Sequence, residues 1–142
     1  MLAADRNLLK GARLMLISER QLSRELLVSA LKQAGAGTTI HGPAHEMLQR
    51  LADFKPELIF CDYDMEPLNG SSCVLHMRKH KLATSVVMLV HKGDSAAVTK
   101  SKAAGANQVI QIPFTVADVL ATVKKIVNPD PAPKRRELYF GD

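Results

Sequence analysis

Residues 13–127 carry five short apolar runs, each followed by a stretch whose apolar residues recur at helical spacing. Parallel strands need a crossover of a dozen or more residues between neighbours, usually a helix, so a strict alternation of this kind points to a parallel sheet wrapped in helices. The spacing predicts strands over 13–18 (β1), 38–41 (β2), 58–61 (β3), 85–90 (β4) and 108–112 (β5), with helices over 21–34 (α1), 43–53 (α2), 71–79 (α3), 95–104 (α4) and 115–127 (α5). Leu22, Leu26, Leu27, Ala30 and Leu31 mark one stripe of α1, and Met47, Leu48 and Leu51 one face of α2. Gly35 and Gly105 stand where α1 and α4 stop. Ser71 and Ser72 are expected to cap α3, and Thr115 with Asp118 to form a capping box on α5.

Right-handed crossovers and short loops leave few ways to arrange five such units, and the expected fold is an α/β, flavodoxin-like (βα)5 doubly wound parallel sheet with strand order 2-1-3-4-5. Composition agrees. The 142 residues suffice for one sizeable core, and with 46% hydrophobic but only 4% aromatic residues and no Trp that core must be aliphatic. Aliphatic strands suit a sheet buried on both faces. Residues 12–127 form the expected domain, residues 1–11 a short, poorly ordered lead-in, and residues 128–142 a Pro-rich linker with a basic and aromatic tail. No apolar stretch approaches the roughly 20 residues that span a bilayer, and the first residues lack the apolar centre of a signal peptide. A cytoplasmic chain that does not engage a membrane is expected, with Cys61 and Cys73 as reduced packing residues.

The net charge of +5, from 19 basic and 14 acidic residues, raises the question of nucleic acid. The positive residues are scattered, however. They gather at Arg78-Lys79-His80-Lys81, Lys100 to Lys102 and Lys124-Lys125, at predicted helix C-termini where cations complement the dipole. This distribution reads as solvated helix ends and disfavours DNA as a partner. The five histidines read as surface residues, since neither His41/His45 nor His76/His80 places both rings on one regular helix beside a third ligand. Gly35-Ala36-Gly37 ends a helix before a strand, the reverse of a dinucleotide loop.

In the expected strand order the C-terminal strand ends converge, and ligands bind at that edge of an open α/β sheet. The residues delivered there are Ser18 and Glu19 after β1, Asp62 after β3, Val90 after β4 and Ile112 after β5. Asp62 leads directly into Tyr63-Asp64-Met65-Glu66-Pro67-Leu68-Asn69-Gly70, a loop rich in turn residues. Phosphoryl transfer to such a carboxylate needs a cation against the developing charge. Ile112 supplies neither charge nor donor, and Val90 supplies no hydroxyl.

From residue 12 to 127 the chain resembles the receiver domain of bacterial two-component response regulators, the CheY-like family. The marks are an acid after β1, the Asp62 to Gly70 loop, Ala103-Ala104-Gly105-Ala106 before β5 and Ile112-Pro113-Phe114-Thr115 after it. The resemblance implies that Asp62 is the phosphoacceptor candidate and that Mg²⁺, weakly held, would sit on Glu19, Asp62 and the backbone carbonyl of Asp64. It also implies that Ser18, Val90, Val109 and Ile112 occupy switch positions where the family has an acid, a hydroxyl, an aromatic ring and a lysine. A degenerate, pseudo-receiver member is therefore expected. Its role would be that of a stand-alone, protein-binding signalling adaptor without enzymatic turnover, independent of phosphorylation or only weakly phosphorylated. Its partner would be a histidine kinase, motor or regulator, met through the α4-β5-α5 face with Lys100, Lys102 and Lys124 or through the tail.

Two alternatives stay open. One is a working receiver that accepts phosphate on Asp62 with Mg²⁺. The other rests on the tail, where prolines precede Lys134, Arg135 and Arg136 and then Leu138, Tyr139 and Phe140. That arrangement suits an inert extension folded over its own domain, a short docking motif, or an arginine site for a cyclic dinucleotide.

Overall fold

The computed structural model describes residues 6–128. Its elements follow in strict alternation: β1 Leu14–Ile17, α1 Gln21–Gln33, β2 Thr39–Gly42, α2 Ala44–Phe54, β3 Leu58–Asp62, α3 Gly70–Lys79, β4 Ser85–His91, α4 Ser95–Ala104, β5 Gln108–Ile112 and α5 Val116–Val127. All neighbours in the sheet are parallel and the order is β2-β1-β3-β4-β5, as the alternation predicts.

Each strand has to serve two cores at once because successive side chains point to opposite faces. Along β4, Val87 and Leu89 join Leu14, Leu16, Leu58 and Phe60 beneath α1 and α5. Val86, Met88 and Val90 turn the other way and meet Met15, Ile17, Ile59 and Cys61 beneath α2, α3 and α4. The strands of a doubly covered sheet therefore read as unbroken apolar runs. Cys61 and Cys73 are both free thiols in the second core.

Three local expectations are corrected. α3 is not capped by its serines: the Asn69 side chain precedes the helix and accepts from the backbone N–H of Ser72, while Ser71 and Ser72 lie inside the first turn. A serine could serve only at the extended position before the helix, and Asn69 holds it. Residues 6–11 do not trail from the domain. Leu9 is buried against α1 and α5, and its N–H donates to Ala34 at 2.8 Å.

Arg78, third, is no solvated helix-end cation. Its guanidinium donates to the carbonyls of Leu82 and Thr84 at 2.7 and 2.9 Å, and to the Gly105 carbonyl and Asn107 Oδ1 at 2.9 and 3.0 Å. Asn107 Oδ1 in turn accepts from the N–H of Val86. One planar fork thus ties the end of α3 to the starts of β4 and β5, using the five fixed donors that only arginine has. Arg78→Met should keep the stem's packing but take the guanidinium donors from three carbonyl oxygens and leave Asn107 Oδ1 with the Val86 N–H alone. Urea denaturation is expected to show a loss of about 2–3 kcal/mol, and a loss below that of an ordinary surface substitution would refute the clamp.

Candidate functional site

Parallel strands end at one edge of the sheet, and register decides which side chains meet there. Ile17 pairs with Cys61 and Asp62 with Leu89, so Ser18 and Glu19 emerge beside Asp62. Val90 pairs with Gln111 and His91 with Ile112 on the far side of β4. The edge continues past the strands through two backbone bonds, Tyr63 N–H to Leu89 and Lys92 N–H to Ile112, both 2.9 Å. Gly70 comes close enough to the Asp62 carbonyl and Met88 that a Cβ would collide with both, which is how α3 begins directly against the site.

Asp62 is fully buried. Its Oδ2 accepts from the Ser18 hydroxyl at 3.0 Å and from the Glu19 backbone N–H at 3.2 Å. Its Oδ1 is buried with no hydrogen-bond partner among the described residues. Burial pushes the Asp62 carboxyl above its ordinary range, against the pull of the Glu19 N–H, the Ser18 hydroxyl and the charge of Arg20, while the charge of Glu19 adds to the push. Ser18 is held in place by its own neighbour, since its Oγ accepts from the Arg20 N–H at 3.2 Å.

Of the positions expected to carry a switch, only Ser18 contributes a polar group here. Val90 is buried in the cluster with Cys61, Met65 and Cys73. Ile112 leans on the α1/α5 core and Val109 on the opposite one. Behind the carboxylate, the hydrogen bond with Cys73 and then burial push the Cys61 thiol well up, so it stays protonated.

Two residues that strand-end reasoning passed over complete the rim. Asp64 Oδ2 lies 3.2 Å from His91 Nε2 and 3.7 Å from Arg20 Nη2. Arg20 follows Glu19 and His91 follows Val90, so proximity in sequence to the strand ends was the available signal. These two contacts tether the β3–α3 loop to the first turn after β1 and to the end of β4. Outside them lies a hollow of about 430 Å³ lined by Glu19, Arg20, Tyr63, Asp64 and Glu66 among others. Arg20 is the cation in a lining with three acids.

A divalent cation needs several oxygens converging on one point. Among the described residues, no group of three or more His, Cys, Asp or Glu side chains does so. The outward oxygen of Asp62 already takes two donors, and the Asp64 carboxylate is turned toward Arg20 and His91. A serine hydroxyl satisfies a carboxylate where a second acid would have to share a metal with it. Glu19, Asp62 and the Asp64 carbonyl thus bring two carboxylates and a carbonyl to this edge, with Asp62 Oδ1 left without a hydrogen-bond partner among the described residues.

On the α4-β5-α5 side, Val109 lines a separate hollow of about 400 Å³ with Lys92, Gln111, Asp118 and Lys125. Lys100, Lys102 and Lys124 are exposed nearby. Lys134, Arg135, Arg136, Tyr139 and Phe140 lie outside the described residues.

Comparisons with known proteins agree with the fold. The chain is 28% identical over 105 residues to the Regulator of RpoS from Escherichia coli K12, covering 74% of this chain but 31% of that protein. It therefore spans about a third of the length of that relative. Protein PilG of Pseudomonas aeruginosa is 27% identical over 116 residues, covering 80% of this chain and 86% of that one. A solved structure from Chloroflexus aurantiacus, described as a response regulator, superposes with a TM-score of 0.78 at 26% identity, covering 83% of this chain and 98% of its own. The chemotaxis response regulator CheY4 of Vibrio cholerae shares the fold, with a TM-score of 0.74 at 20% identity, covering 82% of this chain and 99% of its own. The family model for the response regulator receiver domain matches residues 14–124, and on that match the chain belongs to the response regulator receiver domain family.

Proposed function

We propose that this chain is an atypical receiver domain that works as a protein-binding signalling adaptor in a two-component or chemotaxis-type pathway, with an output that does not depend on phosphorylation of Asp62. The observation that carries this reading is the sealed carboxylate. Asp62 has no exposed surface, one oxygen takes two donors and the other is enclosed. A phosphodonor would have to displace Ser18 and then find charge stabilisation that neither Val90 nor Ile112 supplies. Charge-assisted hydrogen bonds are each worth about 1.5–3 kcal/mol, so losing two of them costs several powers of ten in rate.

The adaptor would act in the cytoplasm as a binding partner, not as an enzyme. Its contact surface would be the α4-β5-α5 face or the tail, and a histidine kinase, motor or regulator would be the other side. One observation favours the rival, phosphate-accepting reading: Arg20 already acts on Asp62 through its charge and stands at the mouth of the site. Arg20 is held 3.7 Å from Asp64, however, and would have to leave it to reach a phosphoryl group. The cyclic-dinucleotide reading depends on Lys134, Arg135 and Arg136, and calorimetry with a cyclic dinucleotide on the whole chain and on residues 1–127 tests it.

Incubation with acetyl phosphate and magnesium chloride, followed by intact-mass measurement, should show no gain of a phosphoryl group. A gain that disappears in Asp62→Asn would overturn the adaptor reading.

A sealed acid also leaves a thermodynamic signature. Because the folded state holds the Asp62 proton more tightly than the unfolded chain does, stability is greatest below the ordinary carboxylate range and falls as pH rises through the interval up to the raised folded value. Asp62→Asn keeps an acceptor for Ser18 and removes the charge. It should be more stable than the parent at pH 7 by about 1 kcal/mol, the scale of one desolvated polar atom, with the difference shrinking toward pH 3. Equal or lower stability at pH 7 would mean that the carboxylate is held by charge and not merely enclosed.

A further inference from the structure

On the α2/α3/α4 face the helices are unevenly spaced: α3 packs closely on α4, whereas α2 and α3 barely touch. The gap between them is a groove of about 560 Å³. Its lining includes Leu48, Leu68 and Leu75 together with His45, His76 and Lys79. Leu68 is 39% and Leu75 50% exposed, two of the few large apolar side chains that the described residues leave open to solvent. Among the described residues, no acidic one lines the groove.

The structure of this groove suggests its occupant. Leu68 stands just before α3, Leu75 lies on its outer face and Lys79 is its last residue, so the two leucines and the lysine line up along the helix axis. A helix laid between two helices presents apolar anchors at i, i+3 or i+4 and i+7, the spacing that such a row accepts. Lys79 sits at the C-terminal end of α3, where the helix dipole is negative and the lysine already compensates it. A second cation there would meet Lys79, whereas a glutamate would pair with it. The whole chain, at +5, adds a long-range field of the same preference.

We propose that the α2–α3 groove docks an acidic, leucine-bearing amphipathic helix of a partner protein. The site is separate from the Asp62 edge and from the α4-β5-α5 face. It rests on the adaptor reading in that it supplies a second partner surface, beside the α4-β5-α5 face or the tail, but the two are tested apart. Phosphorylation of Asp62 would remove that reading and leave groove binding intact, while an empty groove with Asp62 unmodified would remove this proposal alone.

The probes are two synthetic amphipathic peptides of roughly 18 residues, enough for about five helical turns, that share one leucine stripe and carry either glutamates or lysines on the polar face. Titrated into the whole ¹⁵N-labelled chain, the glutamate peptide should shift amides in α2 and α3 with a Kd of about 10–100 µM, which is ordinary for a shallow groove. Leu75→Ser and Lys79→Glu should each weaken it about five-fold or more, equivalent to about 1 kcal/mol, and Lys79→Glu should improve binding of the lysine peptide. Both leucine and lysine are exposed, so neither change threatens the fold.

Four outcomes would overturn the proposal. They are equal binding of the two peptides, binding indifferent to Leu75→Ser, shifts confined to β5 and α5, and the absence of binding. Shifts in the groove that grow with protein concentration alone would assign it to a second copy, and competition by a peptide of residues 134–142 would assign it to the chain's own tail. Either result would also overturn it.

Discussion

The bond from the Ser18 hydroxyl to Asp62 Oδ2, 3.0 Å long, decides what this edge of the sheet can do. A carboxylate at the end of a strand covered on both faces must be neutralised, paired or hydrogen-bonded, because leaving its charge unsatisfied in a buried place is expensive. Two acids side by side would solve that problem only with a cation between them. A hydroxyl and a backbone N–H solve it without one. One carboxylate oxygen is thereby occupied, and the other is buried without a partner among the described residues.

The rim follows from the same arrangement. With Asp62 turned inward, the acid next available on the β3–α3 loop is Asp64, and it faces outward to Arg20 and His91. These exposed contacts are individually weak. Their consequence is positional, since they connect three strand ends around a carboxylate they do not touch by hydrogen bond. The helices beneath are held by stronger means. Asn69 caps α3 at its start and Arg78 anchors its end, so α3 is fixed at both termini while its outer face, with Leu75 and Lys79, stays open. A rigid helix with an uncovered face is the combination that a docking surface requires.

Much of this was legible in the residues. Five alternating periods gave the element order, and the two-face burial of a parallel sheet explains why runs such as Val86-Val87-Met88-Leu89-Val90 show no polar alternation. Element ends came within a residue or two because Gly105 and the Thr115/Asp118 box are strong local signals, and both form as expected. The α3 cap was misassigned because Ser71, Ser72 and Asn69 all have the chemistry of a cap, and only the path of the chain out of β3 selects among them. Arg78 was read as a solvated end because helical periodicity says which face a residue lies on, not which carbonyls a long side chain can reach.

Local pattern determined the (βα)5 alternation, the aliphatic core and the presence of two acids, two aliphatic residues and a hydroxyl at the converging strand ends, since each depends on residues near one another in the chain. Tertiary structure decided that Ser18 donates to an acid 44 residues away, that Arg20 and His91 meet on Asp64, and that α2 and α3 stand apart over three leucines. Those outcomes depend on strand register and on the distance between packed helices, and neither quantity is set by any single stretch of sequence.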